Sequence, residues 1–249
     1  MKISIVTISY NQEKYLRQCI ESILNQEECE LEYIVVDPGS KDGSRELVES
    51  YGDRIVRVFE KDKGPADGLN KGFARATGDI YGFINSDDFL LPNALRHVTR
   101  FFLQNKSDVF VTGGGYTENG SARRTQIHPS RLTPSAMLNR SAVIFQQTTF
   151  FPAAMFKQVG GFNTSNTTCW DYELFLNFLT NGARHEVMTD DLAVFRLYEG
   201  SISGSGRLEE QYFKDLDQLF LKYVGRNRGF RDKLMTALLR LQRKIIQGH

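Results

Sequence analysis

Three short apolar runs, Ile3 to Ile8, Tyr33 to Asp37 and Ile55 to Phe59, alternate with helix-period segments over roughly the first 60 residues. This is the rhythm of βαβ units. Parallel strands joined by helical crossovers need cover on both faces, so the opening of the chain is committed to a doubly wound α/β structure with a mostly parallel sheet. In the first intervening segment Tyr15, Leu16, Cys19, Ile20, Ile23 and Leu24 recur at three- and four-residue spacing. That spacing predicts a helix with one face on the sheet and Asn11 as its N-cap. A fourth strand is expected at Ile80 to Asn85, then a helix from Pro92 to about Leu103 with Pro92 in its first turn. A further strand, Asp108 to Thr112, runs into Gly113-Gly114-Gly115.

The rhythm then changes. Residues 116–150 are polar and poorly periodic, and after them come an apolar stretch (Thr148 to Pro152), a helix from Asp171 to Leu179, and two strand candidates around Glu186 and Val194. Ser201 to Gly206 reads as a flexible loop, because Gly and Ser neither pack nor restrict the backbone. Two amphipathic helices follow. One carries the stripe Phe213, Leu216, Phe220 and Val224, the other Leu234, Leu238, Leu241 and Ile245 with Lys and Arg on the opposite face. The expected organisation is a catalytic region over residues 1–205 and a basic amphipathic helical region over residues 206–249.

At 249 residues the chain has room for one sizeable core with a small appendage. A net charge of +1 leaves no field to attract a phosphate polymer, which argues against nucleic acid as a partner. The basic surplus sits in the tail, where Lys222, Arg226, Arg228, Arg231, Lys233, Arg240, Arg243 and Lys244 face the single acid Asp232. Cys19, Cys29 and Cys169 are odd in number and widely spaced, so neither a disulfide framework nor a thiolate zinc site is indicated. His97, His128, His185 and His249 lack ligand spacing and read as helix, loop, strand and tail residues. No signal-peptide pattern opens the chain and no run of about 18 apolar residues occurs in it, so a cytoplasmic location is expected.

Ligands of open α/β sheets bind outside the carboxyl ends of the strands, and polar residues gather there: Ser9-Tyr10-Asn11, Asp37, and Asn85-Ser86-Asp87-Asp88. Asp37 suits the base or ribose edge of a nucleotide, or it simply starts the turn at Pro38-Gly39. Asp87-Asp88 suits a hard cation, Mn²⁺ or Mg²⁺, whose octahedron a diphosphate completes; the competing reading is a turn before the next helix. The segment Lys61 to Gly72, dense in charge and glycine, suits phosphates or sugar hydroxyls, or is a solvated loop and helix start. Asp171 is the best remaining carboxylate for a general base, with Trp170 beside it as a face for a sugar ring, although an Asp in a first helical turn is also favoured by the helix dipole.

These residues resemble the family 2 glycosyltransferases, which have the GT-A fold. The stretches that carry the resemblance are I-S-I-V-T-I-S-Y-N from Ile3, V-V-D-P-G-S-K-D-G-S from Val35, D-K-G-P-A-D-G-L-N-K-G from Asp62, A-T-G-D-I-Y-G-F-I-N-S-D-D from Ala76, V-G-G-F-N from Val159 and W-D-Y-E-L-F-L from Trp170. The resemblance implies that Thr7, Tyr10 and Asp37 frame the base and that Asp87 closes the metal-binding motif. It makes Asp171 the catalytic base of an inverting transfer from a nucleotide-diphosphate sugar. It also implies that Asp62, Asp67, Asn70 and Lys71 contact the donor, and that Gln147 and Arg196 lie near the acceptor and the diphosphate. UDP is the nucleotide it favours. The departures are Asn85 in place of a first metal-motif Asp, Pro38 after Asp37, and Tyr198 where a His is common. No Q-x-x-R-W stretch or membrane helix follows the domain, which fits an enzyme that adds one sugar to a glycan or lipid-linked acceptor, as in assembly of a surface polysaccharide such as O-antigen.

Three other readings share parts of this pattern. A dinucleotide-binding oxidoreductase requires G-x-G-x-x-G after the first strand, and Thr7 to Asn11 contains no glycine. A sugar nucleotidyltransferase usually carries a glycine-rich basic loop at that point, which is missing. A non-catalytic nucleotide-sugar-binding protein is expected to lose Asp87 or Asp171, and both are present. The tail helix is expected either to lie on an anionic membrane surface, holding the protein peripherally to the inner face of the cell membrane, or to pack on the catalytic region or a second subunit.

Overall fold

Alternate residues of the first two strands go to different cores. In a computed structural model of the chain, β1 (Lys2–Ile8) and β2 (Glu30–Val36) send Ile3, Ile5, Tyr33 and Val35 to one face of the sheet and Val6, Ile34 and Val36 to the other. Side chains of successive strand residues point to opposite faces, so a run apolar at every position is a strand covered twice. The structure describes residues 1–105, 108–120, 123–201 and 205–247, with side chains through residue 241. On the first face lie α1 (Glu13–Leu24), α2 (Ser44–Glu49) and α4 (Ala94–Gln104); on the second lie α3 (Pro65–Phe73), α6 (Ala153–Gln158) and α7 (Trp170–Thr180).

The sheet adds β3 (Val56–Val58), β4 (Ile80–Asn85), β5 (Phe89–Leu90), β6 (Val109–Asn119), β7 (Arg124–Ile127), β8 (Thr149–Pro152) and β9 (Arg184–Leu197), in the order β3-β2-β1-β4-β8-β6-β9-β5, with β7 beside β6. The half from β3 to β4 is parallel, as the βαβ rhythm predicts. In the other half β8 runs antiparallel to both β4 and β6, while β6 and β9 are parallel. The chain leaves β1 toward β2 and returns to β1's other side with β4, so the topological switch point lies between β1 and β4.

Several expected boundaries move. The two strands around Glu186 and Val194 are one strand, β9, and the strand entering the glycine triplet continues through it to Asn119. Glycine normally weakens a strand, but here β9 presses on β6 across an irregular register: a Cβ on Gly115 would lie 2.3 Å from the carbonyl oxygen of Ala193. Asn11 does not cap α1. It adopts φ 53°, and its side-chain oxygen accepts from the backbone N–H of Lys41, so Gln12 stands at the cap position without a side-chain bond. Pro92 precedes α4 instead of opening it, because Asn93 takes a left-handed conformation between them.

Of the tail helices, α8 (Glu209–Val224) buries Leu216 and Leu219 against the same core as α7 and Phe220 under Arg226 and Arg228, leaving Phe213 and Val224 exposed. The last helix, α9 (Phe230–Gln247), keeps Leu234, Leu238 and Leu241 about half exposed, at 52%, 49% and 57%. The Ile245, Arg243 and Lys244 side chains lie outside the described residues, as do residues 202–204 of the expected loop and His249. Among the described residues no helix is long and apolar enough to cross a membrane.

Candidate active site

Strands β1, β2 and β4 end level with one another: Ile8 pairs with Val36 on one side and with Asn85 on the other. Ser9-Tyr10-Asn11, Asp37 and Ser86-Asp87-Asp88 therefore emerge on one rim at the switch point. Tyr10 is 59% exposed, whereas Ser86 is buried. Asn11 ties the loop after β1 to the loop after β2, its N–H donating to Ser40 Oγ at 2.8 Å while its Oδ1 accepts from Lys41. Asp37 is fully buried, and Oδ1 accepts from the N–H groups of Gly39 and Ser40 (2.9 and 2.7 Å) and from Arg45 Nε at 3.1 Å. Its Oδ2 has no hydrogen-bond partner, an uncommon condition for a buried carboxylate oxygen. Thr7 lies below the rim, in the core, where its hydroxyl accepts from Tyr33 at 3.0 Å.

The loop before α3 reaches the same rim. Asp62 accepts from Gly64 N–H at 3.0 Å, and burial, followed by the nearby charges of Asp67 and Asp37, raises its pKa against the pull of Gly64 and Lys71. Gly68 permits this: a Cβ there would lie 2.8 Å from Asp62 Oδ2. Asp67 accepts from Lys63 N–H and pairs with Lys71 at 3.2 Å, and Lys71 also donates to the carbonyl of Lys61. Asn70 is spent on the backbone of Phe162, giving and accepting one bond of 2.9 Å each, so it braces α3 against the segment after α6.

The two carboxylates after β4 have different surroundings. Asp88 is fully buried, with Oδ1 accepting from Arg196 N–H at 2.9 Å and Oδ2 from Gln147 Nε2 at 2.9 Å. Asp87 is partly buried, and its Oδ2 accepts from the Tyr198 hydroxyl at 3.0 Å. Burial raises both pKa values, and the neighbouring Asp87 charge raises that of Asp88 further. Arg196 sits behind the pair, donating to the Asp87 carbonyl at 2.7 Å and to Gln18, with its guanidinium over the rings of Tyr15 and Phe89. The two adjacent carboxylates, with the Arg196 guanidinium behind them, offer the oxygen donors that a hard cation takes. Among the described residues no group of three His, Cys, Asp or Glu side chains comes together, so a Mn²⁺ or Mg²⁺ ion would have Asp87 as its accessible protein carboxylate and take other oxygens from a diphosphate.

Asp171 opens α7, and burial pushes its pKa up to about 6 although Tyr172 N–H donates to its Oδ1 at 2.7 Å. A carboxylate with a pKa near the working pH suits proton transfer. The segment before it is fixed by Glu173, a buried carboxylate that accepts from Asn163, Asn166 and Lys222. Trp170 packs on Phe83 and Phe162, with ring centroids 5.7 and 5.3 Å away.

The structure thus brings Tyr10, Asn11, Asp37, Asp62 and Asp87 toward one rim, with Arg196, Gln147 and Asp88 beneath it. Sequence reasoning did not identify Arg45, Gln12 or Gln18 as parts of the site. Arg45 had a local signal, a cation in the first turn of the helix eight residues after Asp37. Gln12, which exchanges hydrogen bonds with Tyr198 at 3.3 and 3.4 Å, had none.

A family model described as glycosyl transferase family 2 matches residues 4–159, well over half of the chain. An uncharacterized glycosyltransferase of Rickettsia typhi is 26% identical over 280 residues, covering 99% of this chain and 86% of that protein. Among solved structures, residues 1–349 of S. aureus TarS in complex with UDP-GlcNAc give a TM-score of 0.73 at 20% identity, covering 96% of this chain and 70% of that one. The mannosyltransferase PcManGT from Pyrobaculum calidifontis, in complex with GDP-Man and Mn2+, gives a TM-score of 0.69 at 16% identity, covering 97% of this chain and 69% of that one. The sheet of the present chain is of the same GT-A type.

Proposed function

The chain belongs to glycosyl transferase family 2, and on that footing we propose that it transfers a single sugar, a hexose or N-acetylhexosamine, from a UDP-sugar to a hydroxyl of a glycan or lipid-linked acceptor, with inversion. The observation that carries this reading is the level ending of β1, β2 and β4, which sets Asp37 and Asp87 on one rim at the switch point. The unpaired Oδ2 of Asp37 is the acceptor that a ring N–H of a base satisfies, once the groups covering it give way. Asp62, Asp67 and Lys71 line the donor side, while Asn70 holds their helix in place. Asp87 would hold the metal, and Asp88, fixed by Arg196 N–H and Gln147, would steady the turn that carries Asp87. The bound cation supplies neutralisation of charge on the departing diphosphate.

Asp171 accepts the proton of the acceptor hydroxyl. The hydroxyl oxygen forms the new bond to the anomeric carbon on the face opposite the nucleotide, and the bond from that carbon to the diphosphate oxygen breaks, releasing the nucleoside diphosphate. Trp170 stands on the acceptor side, and Gln147 acts from beneath the rim through the Asp88 carboxylate that it holds. Residues 1–205 perform this chemistry, and the basic helical region of residues 206–249 rests through its last helix, α9, on anionic lipid at the inner face of the membrane, in the assembly of a surface polysaccharide. Its exposed Leu234, Leu238 and Leu241 support that attachment.

The test is a panel of UDP-, GDP- and dTDP-sugars with and without Mn²⁺, comparing the intact chain with Asp87→Ala and Asp171→Asn. Metal-dependent use of one donor is expected, with donor binding weakened in the first variant and turnover alone lost in the second. If no nucleotide sugar binds, the transferase reading is wrong.

A further inference from the structure

Glu173 is a buried carboxylate, 1% exposed, to which the transfer proposed above gives no part. It stands one turn into α7, and hydrogen bonds converge on it from three side chains. Asn163 Nδ2 reaches its two oxygens at 3.2 and 3.0 Å, Asn166 Nδ2 reaches Oε2 at 2.9 Å, and Lys222 Nζ reaches Oε1 at 2.8 Å. The two amides are neutral, so the charge of Glu173 is met by Lys222, which comes from α8. A carboxylate stays charged in such a place only when it is paired and hydrogen-bonded, and a network satisfied in this way holds its members rigidly.

What the network holds is the turn that carries Asp171. Asp171 accepts from the neighbouring Tyr172 N–H, so its carboxylate goes where the first turn of α7 goes. That turn begins at Cys169, whose side chain does not cap the helix. Asn166 fastens it instead, with Oδ1 accepting from Thr168 N–H and Cys169 N–H at 3.3 and 3.0 Å while Glu173 holds its Nδ2. Helix α8 grips the same turn a second time: Asp215 Oδ2 accepts from Thr168 Oγ1 at 2.6 Å, and Asp215 Oδ1 accepts from Gln211 at 2.7 Å. Just past Asp171, the Tyr172 hydroxyl donates to the Met137 carbonyl of α5 (Pro134–Leu138).

The other end of this segment is fastened to the donor side. Asn70 of α3 closes two bonds of 2.9 Å on the backbone of Phe162, and the Phe162 ring lies 5.3 Å from that of Trp170. Gly160 and Gly161 bring the chain there with φ 79° and 80°, and a Cβ on Gly161 would lie 2.7 Å from Asn70 Oδ1. Residues 162–169 therefore run from a fixed point on α3 to a fixed point on α7 and α8, and Asp171 follows directly after the second.

Resting on the reading of Asp171 as the base, we propose that Lys222 and Asp215 are positioning residues for the transfer, which set the turn that aims Asp171 by holding Glu173 and Thr168. The first helix of the tail is then part of the framework of the active site, although it lies beyond residues 1–205. Both residues act through the turn and not on the reacting atoms, so their loss shows in turnover and not in donor affinity.

Trp170, the only tryptophan of the chain, stands next to Asp171, so its fluorescence reports on this turn with no substrate present. Lys222→Met, Lys222→Arg, Asp215→Ala and Asp171→Asn are compared with the intact chain in three measurements: hydrolysis of the UDP-sugar that the donor panel selects, with water as acceptor; calorimetric titration with UDP; and acrylamide quenching of Trp170. Lys222→Met and Asp215→Ala are each expected to lower kcat by about 10- to 100-fold, as displacement of a catalytic group by a fraction of an ångström to 1 Å does, with UDP affinity unchanged and Trp170 more readily quenched. Lys222→Arg, which keeps a cation within reach of Glu173, is expected to bring both readouts back toward those of the intact chain. If Lys222→Met, which leaves the Glu173 charge buried, fails to fold, Asp215→Ala at its half-buried side chain carries the test. Turnover and quenching that stay as in the intact chain, or UDP affinity that falls in step with turnover, overturn the proposal. If Asp171→Asn hydrolyses the donor as fast as the intact chain, or no UDP-sugar is hydrolysed at all, the base reading falls, and the quenching of Trp170 decides by itself whether α8 sets the turn.

Discussion

Replacing Asp171 by Asn is expected to abolish turnover and make the protein more stable at neutral pH. Asn preserves the oxygen that accepts the 2.7 Å bond from Tyr172 N–H, so the first turn of α7 keeps its geometry. The substitution removes a charge that the folded state holds at a cost. The Asp171 pKa stands at about 6 in the fold against 3.8 for the free group, so the native state binds this proton more tightly than the unfolded chain does. Stability therefore falls as pH rises from about 4 to about 6, and above that window the full penalty is present. Two pH units at 1.36 kcal/mol each set an upper bound of about 3 kcal/mol, or roughly 5–10 °C in melting temperature for a chain of this size. Thermal denaturation of both proteins from pH 4 to pH 8 reads this directly: the curves should coincide near pH 4 and separate above pH 6, with the variant higher. Wild-type turnover should rise about tenfold per pH unit up to about 6 and then level, and the variant should lose about 10²- to 10⁴-fold at every pH above it. Equal melting temperatures at pH 8, or a wild-type rate that ignores pH between 5 and 7, would refute the assignment of Asp171 as a desolvated base.

Gln147→Leu leaves Asp88 Oδ2 without its 2.9 Å donor in a fully buried site; a loss of about 1–3 kcal/mol in denaturant unfolding is expected, with weaker UDP-sugar binding as Asp87 shifts. Tyr198→Phe removes the hydroxyl that donates to Asp87 Oδ2 and frees that oxygen, so the Mn²⁺ concentration for half-maximal turnover should fall. An unchanged or higher metal requirement would mean that Tyr198 holds Asp87 in its working position. Gly115→Ala sets a methyl group 2.3 Å from the Ala193 carbonyl, and the β6–β9 pairing must give; a loss of about 1–3 kcal/mol or more is expected by chemical denaturation.

The parallel half of the sheet was readable in the sequence because its physics is local. Each strand is a short apolar run, each crossover a helix-period stretch, and the level strand ends follow from the βαβ register. The mixed half was not readable, because its strands are defined by their partners. The middle of β9 contains Asp190 and Asp191, which break the apolar run, and only contact with β6 shows that the strand is continuous. The site divides in the same way. Asp37 and Asp87 are legible as carboxylates at strand ends, but Asp87 and Asp88 look equivalent in sequence and differ only through partners far along the chain: Gln147 and Arg196 for Asp88, Tyr198 for Asp87. Asn70 has a motif position that suggests a ligand contact, and only the fold shows that its amide also bonds the backbone of Phe162, 92 residues away.

Among the described residues, the buried side-chain atoms without a hydrogen-bond partner are the hydroxyls of Ser9 and Thr99, an oxygen of Asp37 and the Nε of Arg96, Arg140 and Arg228. At the rim lie an unpartnered Asp37 oxygen and the desolvated Asp87-Asp88 pair, whose oxygens accept from Tyr198, Gln147 and Arg196; together they suit a ligand that brings an N–H donor and a cation. Beside α8 they are positive: Arg140 and Arg228 share the Asp217 carboxylate, and the Nε of each is buried without a hydrogen-bond partner. Each set costs stability when empty, and neither can satisfy the other across the body of the protein.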